Sequence, residues 1–284
     1  MTLDPRVNAF RPDLADRRLE GKVESRHFVD GRPERVTVSA AALRREPRPD
    51  AAQETEALFG ESVLVFETTE EGWAWVQLDA DGYVGWMASA ALGQADSPTH
   101  RVAVPRTLLF PGPDIKLPPL MGLPMGALLT VSGEAEDRNA RYDLTTPTGA
   151  VVAQHLGAPG EHAPDFVAVA ERFLGVPYLW GGKTTLGIDC SGLVQMALAM
   201  AGIDAPRDTD MQERALGTRL AGIEPLRRGD LVFWKGHVGI MLDGQMLLHA
   251  NAHHMMTASE PLAEAIARTA ARGSAVTSIR RLGS

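Results

Sequence analysis

The pattern of hydrophobic residues changes its period once along this chain, near residue 160, and this change limits the fold more than any other feature. Before it, short runs of β-forming residues alternate with acidic and glycine-containing turns, as at 62–66, 73–78 and 83–87. After the turn-rich segment 157–160, apolar residues recur at helical spacing. The chain is therefore expected to join an all-β part to a part that contains helices.

The β-rich part contains an internal repeat. Residues 127–131 resemble residues 62–66 in their run of β-forming residues, and residues 149–156 resemble residues 85–92 in the same way. The offset between the two copies is about 64 residues. A duplicated run of short strands predicts two small antiparallel barrels in sequence.

The predicted domain boundaries follow from these shifts in texture. Residues 1–34 are rich in charged side chains and are expected to form an N-terminal extension that wraps the fold or stays mobile. The first barrel is assigned to 35–96, the second to 97–158, and the helical part to 159–284.

Helices come first in the C-terminal part, and strands follow. A helical stripe runs from Phe166 to Leu174, with Pro164 near its start and Gly175 after its end. Further helices are predicted at 190–201 and 209–216, and strands at 231–234, 237–242, 245–250 and 275–280. Segregated helices and antiparallel strands indicate an α+β domain.

Composition excludes several classes of protein. With 28 Lys and Arg against 36 Asp and Glu, the net charge of −8 argues against a nucleic-acid partner. One cysteine excludes an internal disulfide and Cys-rich metal cages. No stretch approaches the roughly 18 uninterrupted apolar residues of a membrane span, and the first residues lack a signal-like apolar run. We expect a cytoplasmic protein with no membrane partner; its oligomeric state stays open.

The single thiol, Cys190, lies in polar, turn-like sequence between Asp189 and Ser191. At the start of the predicted helix, free backbone N–H groups would lower the pKa of the thiol and donate hydrogen bonds to an oxyanion. Each candidate residue also has an interpretation without chemistry. Cys190 could be a buried structural cysteine, and His237 could be a structural histidine in a strand. His249, His253 and His254 could form a solvated edge.

The turn around Asp243-Gly244 decides whether His237 and His249 can meet. A two-residue turn would pair Leu242 with Gln245 and put the two histidines on opposite faces. A three-residue loop pairs Leu242 with Met246, which returns both histidines to one face. A catalytic pair therefore requires the longer loop.

Five motifs occur in an order that resembles the NlpC/P60 cysteine peptidases, which are bacterial cell-wall endopeptidases with a papain-like core. They are Tyr178-x-Trp-Gly-Gly, Asp189-Cys-Ser-Gly192, Pro206-Arg-Asp-Thr209 with Gln212, Arg228-Gly-Asp-Leu-Val-Phe233 and Gly236-His-Val-Gly-Ile240. The resemblance covers roughly residues 165–281. It implies Cys190 as nucleophile, His237 as base and His249 as the third, orienting residue.

The upstream half resembles the paired bacterial SH3-like barrels that precede this domain in enzymes cutting the γ-D-glutamyl to diamino-acid bond of peptidoglycan peptides. In those enzymes the first barrel closes the pocket for a free N-terminal L-alanine. The resemblance implies a substrate-binding set made of Glu61, Tyr83, Tyr178, Asp189, Ser191 and Thr209. The family's serine is Thr209 here, and the second copy has Gly126 and Pro147 in place of Glu61 and Tyr83.

The sequence thus predicts an α+β papain-like NlpC/P60 domain behind two all-β SH3-like barrels. The resemblance implies a cysteine endopeptidase of cell-wall peptide recycling that hydrolyses the γ-D-glutamyl to L-diamino acid bond of peptidoglycan-derived peptides with a free N-terminal L-alanine, and it implies no cofactor and no metal. Three alternatives stay open: an acyltransferase or other amidase on the same core, a non-catalytic wall-binding module, and a zinc hydrolase using His249, His253 and His254.

Overall fold

The chain forms two compact units in a computed structural model, Met1–Pro159 and Gly160–Ser284. The structure describes residues 3–94, 97–221 and 225–283. The predicted end of the first barrel, residue 96, lies outside the described residues, as do the first two residues of the predicted extension.

Among its described residues, the first unit is built from strands with three short 3-10 turns. Its strands are β1 (Leu14–Asp16), β2 (His27–Val29), β3 (Arg32–Val36), β4 (Ala40–Arg44), β5 (Gln53–Leu58), β6 (Ser62–Thr68), β7 (Trp73–Leu78), β8 (Val84–Ala88), β9 (Leu92–Gly93), β10 (His100–Val102), β11 (Arg106–Leu109), β12 (Met121–Pro124), β13 (Leu128–Glu136), β14 (Arg141–Thr146), β15 (Gly149–Val152) and β16 (Leu156–Gly157). The 3-10 turns are Arg17–Leu19, Ser89–Ala91 and Ala153–His155.

The N-terminal extension wraps the first barrel. Ala9 is buried beside Trp75 and Trp86, and the Arg11 guanidinium lies 4.3 Å from the Trp75 ring centroid. Arg11 also binds Glu67, with 2.6 Å between Nη2 and Oε2. Of the two predicted alternatives, the structure selects the ordered one because this segment buries apolar surface. Strand β3 begins inside the stretch that the sequence assigns to the extension.

The first barrel is a seven-stranded sheet in the order β5-β4-β8-β7-β6-β3-β9. Alternating residues of its strands point inward, as the period-2 pattern predicts. The core is aliphatic apart from one tyrosine and consists of Val36, Ala41, Leu43, Ala57, Val63, Val65, Ala74, Val76, Leu78, Tyr83, Met87 and Ala91.

The second barrel repeats this topology. Strand β10 pairs with β13 and β16 as β3 pairs with β6 and β9, and a 3-10 turn precedes the last strand in both copies. The amide of Gly60 bonds to Val36 O, and that of Gly126 bonds to Val102 O. Gly126 is therefore the counterpart of Gly60, and Ala127 that of Glu61, one residue from the predicted alignment. The second copy still lacks a carboxylate there.

The second unit contains four helices and eight strands among its described residues. In chain order they are α1 (Phe166–Glu171), β17 (Lys183–Thr184), β18 (Gly187–Ile188), α2 (Cys190–Met200), α3 (Thr209–Ala215), β19 (Thr218–Arg219), β20 (Leu231–Trp234), β21 (His237–Met241), β22 (Met246–Asn251), β23 (Met256–Pro261), α4 (Leu262–Ala270) and β24 (Val276–Arg281). Within 3–94, 97–221 and 225–283, no helix is long and apolar enough to cross a bilayer.

Six of these strands form the main sheet, in the order β19-β24-β20-β21-β22-β23. Helix α2 packs against β21 and β22, and nearly all its residues are buried. Helix α4 buries Leu262 and Ala265 against Trp234, Met241 and Leu247 of the sheet. The predicted α+β class is confirmed, whereas strand β23 and helix α4 were not predicted.

The hairpin of β21 and β22 has the three-residue loop. Met241 pairs with Leu247, and the amide of Leu242 bonds to Met246 O at 2.8 Å. Continuing this register places His249 opposite Gly239 and on the same face as His237. The Asp243 carboxylate accepts hydrogen bonds from the amides of Gln245 and Met246, which explains why the loop is longer than a simple Asp-Gly turn.

Candidate active site

Cys190 is the first residue of α2, as the sequence predicts. Asp189 caps the helix, with its Oδ1 atom 2.7 Å from the amide of Gly192. The thiol sulfur accepts a hydrogen bond from the backbone N–H of Val238 in β21 and lies 3.9 Å from the Thr209 hydroxyl. Helix α2, helix α3 and strand β21 therefore meet at one sulfur atom.

The pKa of the Cys190 thiol is raised to about 11, contrary to the expectation of a lowered value. Burial is the main cause, because a thiolate loses its hydration inside the protein, and the negative charge of Asp189 acts in the same direction. The hydrogen bonds from Val238 and Thr209 only partly offset this. The thiol is therefore protonated at rest and needs a base during attack.

Asp189 belongs to a buried ionic cluster. Both of its carboxylate oxygens bind Arg207, at 3.0 and 2.7 Å, and one accepts from the amide of Gly181 at 2.8 Å. The Ser191 hydroxyl accepts from Arg207 at 2.8 Å and contacts Asp189 at 3.4 Å. The Arg207 side chain is only 1% exposed, so its charge is balanced inside the protein.

Arg207 lies within the motif Pro206-Arg-Asp-Thr209, but no role for it is predicted from the sequence. An arginine two residues before Thr209 gives no signal of burial, because arginines are usually exposed. Only the packing of the segment before α3 against α2 brings its guanidinium to Asp189. The predicted role of Asp189 and Ser191 in binding a substrate amine is untested and stays a prediction.

The two predicted histidines are in direct contact. The Nε2 atom of His237 lies 2.8 Å from the Nδ1 atom of His249, and the ring centroids are 5.1 Å apart. His249 is buried. Its other nitrogen, Nε2, lies 2.8 Å from a carboxylate oxygen of Glu260. The structure thus brings together the two histidines that the hairpin register places on one face.

Burial keeps both imidazoles neutral. The pKa of His237 is lowered to about 3, chiefly by burial and then by the charges of His249 and Arg268. The pKa of His249 is lowered to about 4, chiefly by burial, against an upward effect of Glu260. Although burial opposes ionisation, the Arg268 and His249 hydrogen bonds lower the pKa of Glu260 to about 2. A neutral His237 is able to accept a proton.

Glu260 is not among the predicted site residues, because strand β23, which carries it, is not predicted from the sequence. In that strand Glu260 pairs with Leu247, on the same face as His249 two residues further along β22. A four-residue turn at 252–255 would have given this register, but the strand alternates only weakly. Arg268, on α4, binds both carboxylate oxygens of Glu260.

The other predicted substrate-binding residues lie in two places. Burial raises the pKa of the Tyr178 phenol, and the neighbouring Cys190 and Asp189 act in the same direction. Thr209 contacts the thiol. In the first unit, Glu61 accepts from the amide of Leu58 at 3.0 Å, and Tyr83 is buried in the core of the first barrel. The recognition roles of all four residues stay predictions.

Three residues could act as ligands of a cation, namely His249, His254 and Glu260. Their ligand atoms lie within 4.8 Å of one another. His249 and Glu260 are bonded to each other, however, and Arg268 brings a positive charge to both Glu260 oxygens. A guanidinium in that position repels a cation. We therefore interpret the cluster as a hydrogen-bond chain. Of the zinc ligands considered from sequence, His253 is not part of it.

Comparisons with known proteins agree with this geometry. Residues 175–272 match the NlpC/P60 family, and residues 43–92 match the bacterial dipeptidyl-peptidase SH3 domain. A gamma-D-glutamyl-L-lysine dipeptidyl-peptidase of Bacillus subtilis (strain 168) is 32% identical over 233 residues, which are 71% of this chain and 73% of that protein. Dipeptidyl-peptidase 6 of Lysinibacillus sphaericus is 27% identical over 76% of this chain and 86% of its own length.

A solved structure supports the fold over both units. The crystal structure of an NlpC/P60 family protein from Bacillus cereus ATCC 10987 matches 88% of this chain and 99% of its own, with a TM-score of 0.72 at 23% identity. The relatives from Bacillus subtilis and Lysinibacillus sphaericus are dipeptidyl-peptidases by name, and with the family match they argue against the alternative of a non-catalytic wall-binding module. The chain therefore belongs to the NlpC/P60 family, as a cysteine peptidase with a bacterial SH3-like domain ahead of its catalytic domain.

Proposed function

We propose that this peptidase hydrolyses the bond between γ-D-glutamate and an L-diamino acid in peptidoglycan-derived peptides with a free N-terminal L-alanine. The observation that carries the proposal is the 32% identity, over about seven tenths of both chains, to a gamma-D-glutamyl-L-lysine dipeptidyl-peptidase. The Cys190, His237 and His249 arrangement supports it, because it supplies a nucleophile, a neutral base and a partner for that base.

The first chemical step is attack of the Cys190 sulfur on the γ-carbonyl carbon. As the C–S bond forms, the thiol proton passes to His237. Because Nε2 of His237 faces His249, the nitrogen that takes this proton is Nδ1. The amides of Gly192 and Leu193 already bond to Asp189, so the N–H groups of Cys190 and Ser191 are the first-turn candidates for holding the oxyanion.

The second step releases the products. Protonated His237 donates its proton to the leaving amine of the diamino acid, and the C–N bond breaks to leave a thioester on Cys190. A water molecule then gives a proton to His237 and attacks the thioester carbon. The proton finally returns to the sulfur as the C–S bond breaks, which restores the free thiol and releases the γ-carboxylic acid, which then loses its proton to water.

The free ammonium of the substrate requires a negative or polar partner once it leaves water. The predicted partners in the second unit are Tyr178, Asp189 and Ser191, and Glu61 and Tyr83 stay separate predictions in the first unit. The buried Arg207 already neutralises the charge of Asp189, and Glu61 is the proposed carboxylate of the first barrel.

Product analysis on two matched substrates tests the proposal. We expect L-Ala-γ-D-Glu-L-Lys, or its diaminopimelate counterpart, to release the diamino acid, and the N-acetylated peptide to be cleaved at least about 100-fold more slowly. Cleavage of both peptides at equal rates would refute the free-amine requirement. Transfer of the dipeptide to an added amine in preference to water would favour the acyltransferase alternative.

Glu61→Ala tests the amine-recognition part separately. We expect this variant to have a higher KM for the free-amine peptide. The ratio of kcat/KM for the free-amine peptide to kcat/KM for the N-acetylated peptide should fall. Glu70→Ala is the matched control, because Glu70 is exposed on the turn after β6. An unchanged ratio between the two substrates would exclude Glu61 from recognition. Cytoplasmic recycling of wall peptides stays a prediction from sequence.

A further inference from the structure

Glu260 and Arg268 form a buried pair directly behind His249. The Glu260 side chain is 7% exposed, and its Oε1 atom lies 2.8 Å from Nε2 of His249. Arg268 donates to both carboxylate oxygens, to Oε2 at 2.6 Å and to Oε1 in a shorter contact. The four side chains Arg268, Glu260, His249 and His237 thus form one continuous chain of hydrogen bonds.

The ionisation of Glu260 fixes where each proton lies along this row of hydrogen bonds. An ionised carboxylate only accepts hydrogen bonds, so Nε2 of His249 must carry the proton that it shares with Glu260. A neutral imidazole carries one N–H, so Nδ1 of His249 is a bare acceptor. It must then receive a hydrogen bond from Nε2–H of His237, which leaves Nδ1 of His237 without a proton.

We infer that Glu260, held by Arg268, is a positioning residue that sets the tautomers of both histidines so that His237 presents a bare Nδ1 to the Cys190 thiol. The inference deepens the proposed function and rests on it only for the catalytic use of that nitrogen. Without an acceptor behind it, His249 would be free to carry its proton on Nδ1. It would then donate to Nε2 of His237 and force the His237 proton onto Nδ1, where it blocks the base.

The charges around the histidines agree with this role. Glu260 and Asp189 raise the pKa of His237, whereas His249 and Arg268 lower it. Glu260 also raises the pKa of His249, whereas Arg268 and His254 lower it. Glu260 therefore also stabilises the imidazolium that forms when His237 takes the thiol proton. Arg268 acts in the opposite direction, so its use lies in orienting Glu260.

Glu260→Gln gives the sharpest test, because it keeps the shape and removes the acceptor. Arg268 needs an acceptor, so the amide oxygen should remain on Arg268 and the amide NH2 should face His249. This would invert both tautomers. We expect kcat/KM on the tripeptide and the rate of iodoacetamide alkylation of Cys190 at pH 7 to fall by about 10- to 100-fold.

Nitrogen-15 NMR of the imidazole rings reads the tautomers directly. Resonances are assigned with His237→Gln and His249→Gln. We expect the wild-type protein to carry its protons on Nε2 of both rings and Glu260→Gln to carry them on Nδ1. A role limited to packing would leave the tautomers unchanged.

Second variants separate this effect from misfolding. Glu260→Asp keeps the acceptor and should retain wild-type tautomers. In Glu260→Gln with Arg268→Met the amide is free to turn its oxygen to His249, so this double variant should regain alkylation rate over Glu260→Gln alone. Glu264→Gln is the matched control, since Glu264 is exposed on α4 near Arg268.

The inference is overturned if Glu260→Gln keeps wild-type tautomers, or if its alkylation rate stays within twofold of wild type. It is also overturned if adding Arg268→Met gives no recovery. These readouts need no substrate. If the wild-type protein fails to cleave the tripeptide, the proposed function fails, and the tautomers and thiol reactivity still decide the role of Glu260.

Discussion

Nδ1 of His249 lies 2.8 Å from Nε2 of His237, across two strands joined by a three-residue loop. This contact occupies Nε2 of His237, and the proposed mechanism uses the other nitrogen, Nδ1, as the base. In the proposed mechanism the two histidines are therefore unequal, because His237 exchanges the proton and His249 only holds the His237 ring in place.

Removing each histidine should therefore have different consequences. We expect His237→Ala to lower kcat/KM by about 10³- to 10⁴-fold, because the base and the acid for the leaving group are both lost. His249→Ala should cost about 10- to 100-fold, because the base remains but loses its fixed orientation. Steady-state kinetics on the tripeptide measure both. Equal losses would show that His249 does more than orient.

Replacing the nucleophile should abolish turnover and leave the fold intact. Cys190→Ala should lower kcat by more than about 10⁴-fold, because no sulfur remains to form the thioester. The thiol is small, so its removal should change the free energy of unfolding by only about 1 kcal/mol. Product release and urea unfolding measure the two quantities. Turnover close to wild type would exclude the cysteine-peptidase mechanism.

Acid should weaken the folded state before it protonates the active site. The unfolded chain protonates His237 and His249 near their ordinary pKa of 6.5, whereas the folded protein does so only near pH 3 and 4. The unfolded state thus binds more protons over this range, and the free energy of unfolding should fall as pH drops from about 6.5 towards 4. Urea unfolding at several pH values measures the slope.

Two comparisons sharpen this pH prediction. His237→Gln should reduce the slope, whereas His253→Gln, at an exposed position, should leave it unchanged. For the same reason, kcat/KM should persist at pH 5, where a histidine of ordinary pKa is mostly protonated. An acid limb centred near pH 6.5 would contradict the lowered pKa of His237.

Arg207→Met should destabilise the protein and lower the rate at which the Cys190 thiol is alkylated. It leaves the buried charge of Asp189 without its partner, which costs about 3–5 kcal/mol. Because Arg207 lowers the pKa of Cys190, its loss should also reduce alkylation at neutral pH. Arg214→Met, which breaks an exposed pair with Asp210, should cost less than about 1 kcal/mol. Similar unfolding midpoints for both variants would contradict the prediction.

Gly239→Ala should disturb the histidine pair without touching either ring. An added Cβ would lie 2.7 Å from Leu247 Cδ1 and 3.2 Å from His249 Cβ, so the Leu247 side chain must move and His249 must give way by a few tenths of an ångström. We expect a destabilisation of about 1–3 kcal/mol and a loss of kcat larger than any change in KM. Gly160→Ala, where an added Cβ meets nothing within 4 Å, is the control. Wild-type kcat in Gly239→Ala would show that the hairpin tolerates the shift.

The sequence by itself determined the elements that carry the nucleophile and the base. The helical stripe after Asp189 predicted that Cys190 begins a helix. The alternation of side chains along a hairpin showed which loop length would let the two histidines meet. These features depend on residues close in sequence, namely a capping carboxylate, a period of apolar positions and the length of one turn. Local physics is sufficient for them.

The tertiary structure decided the electrostatics of the site. Burial, which depends on the whole domain, raised the pKa of Cys190 where a helix start alone predicts a lowered one. Arg207 reaches Asp189 from a segment 18 residues away, and Glu260 reaches His249 only through the register of a strand with weak alternation. Charges act through space across packed elements, and their neighbours are fixed only when the helices and the sheet come together.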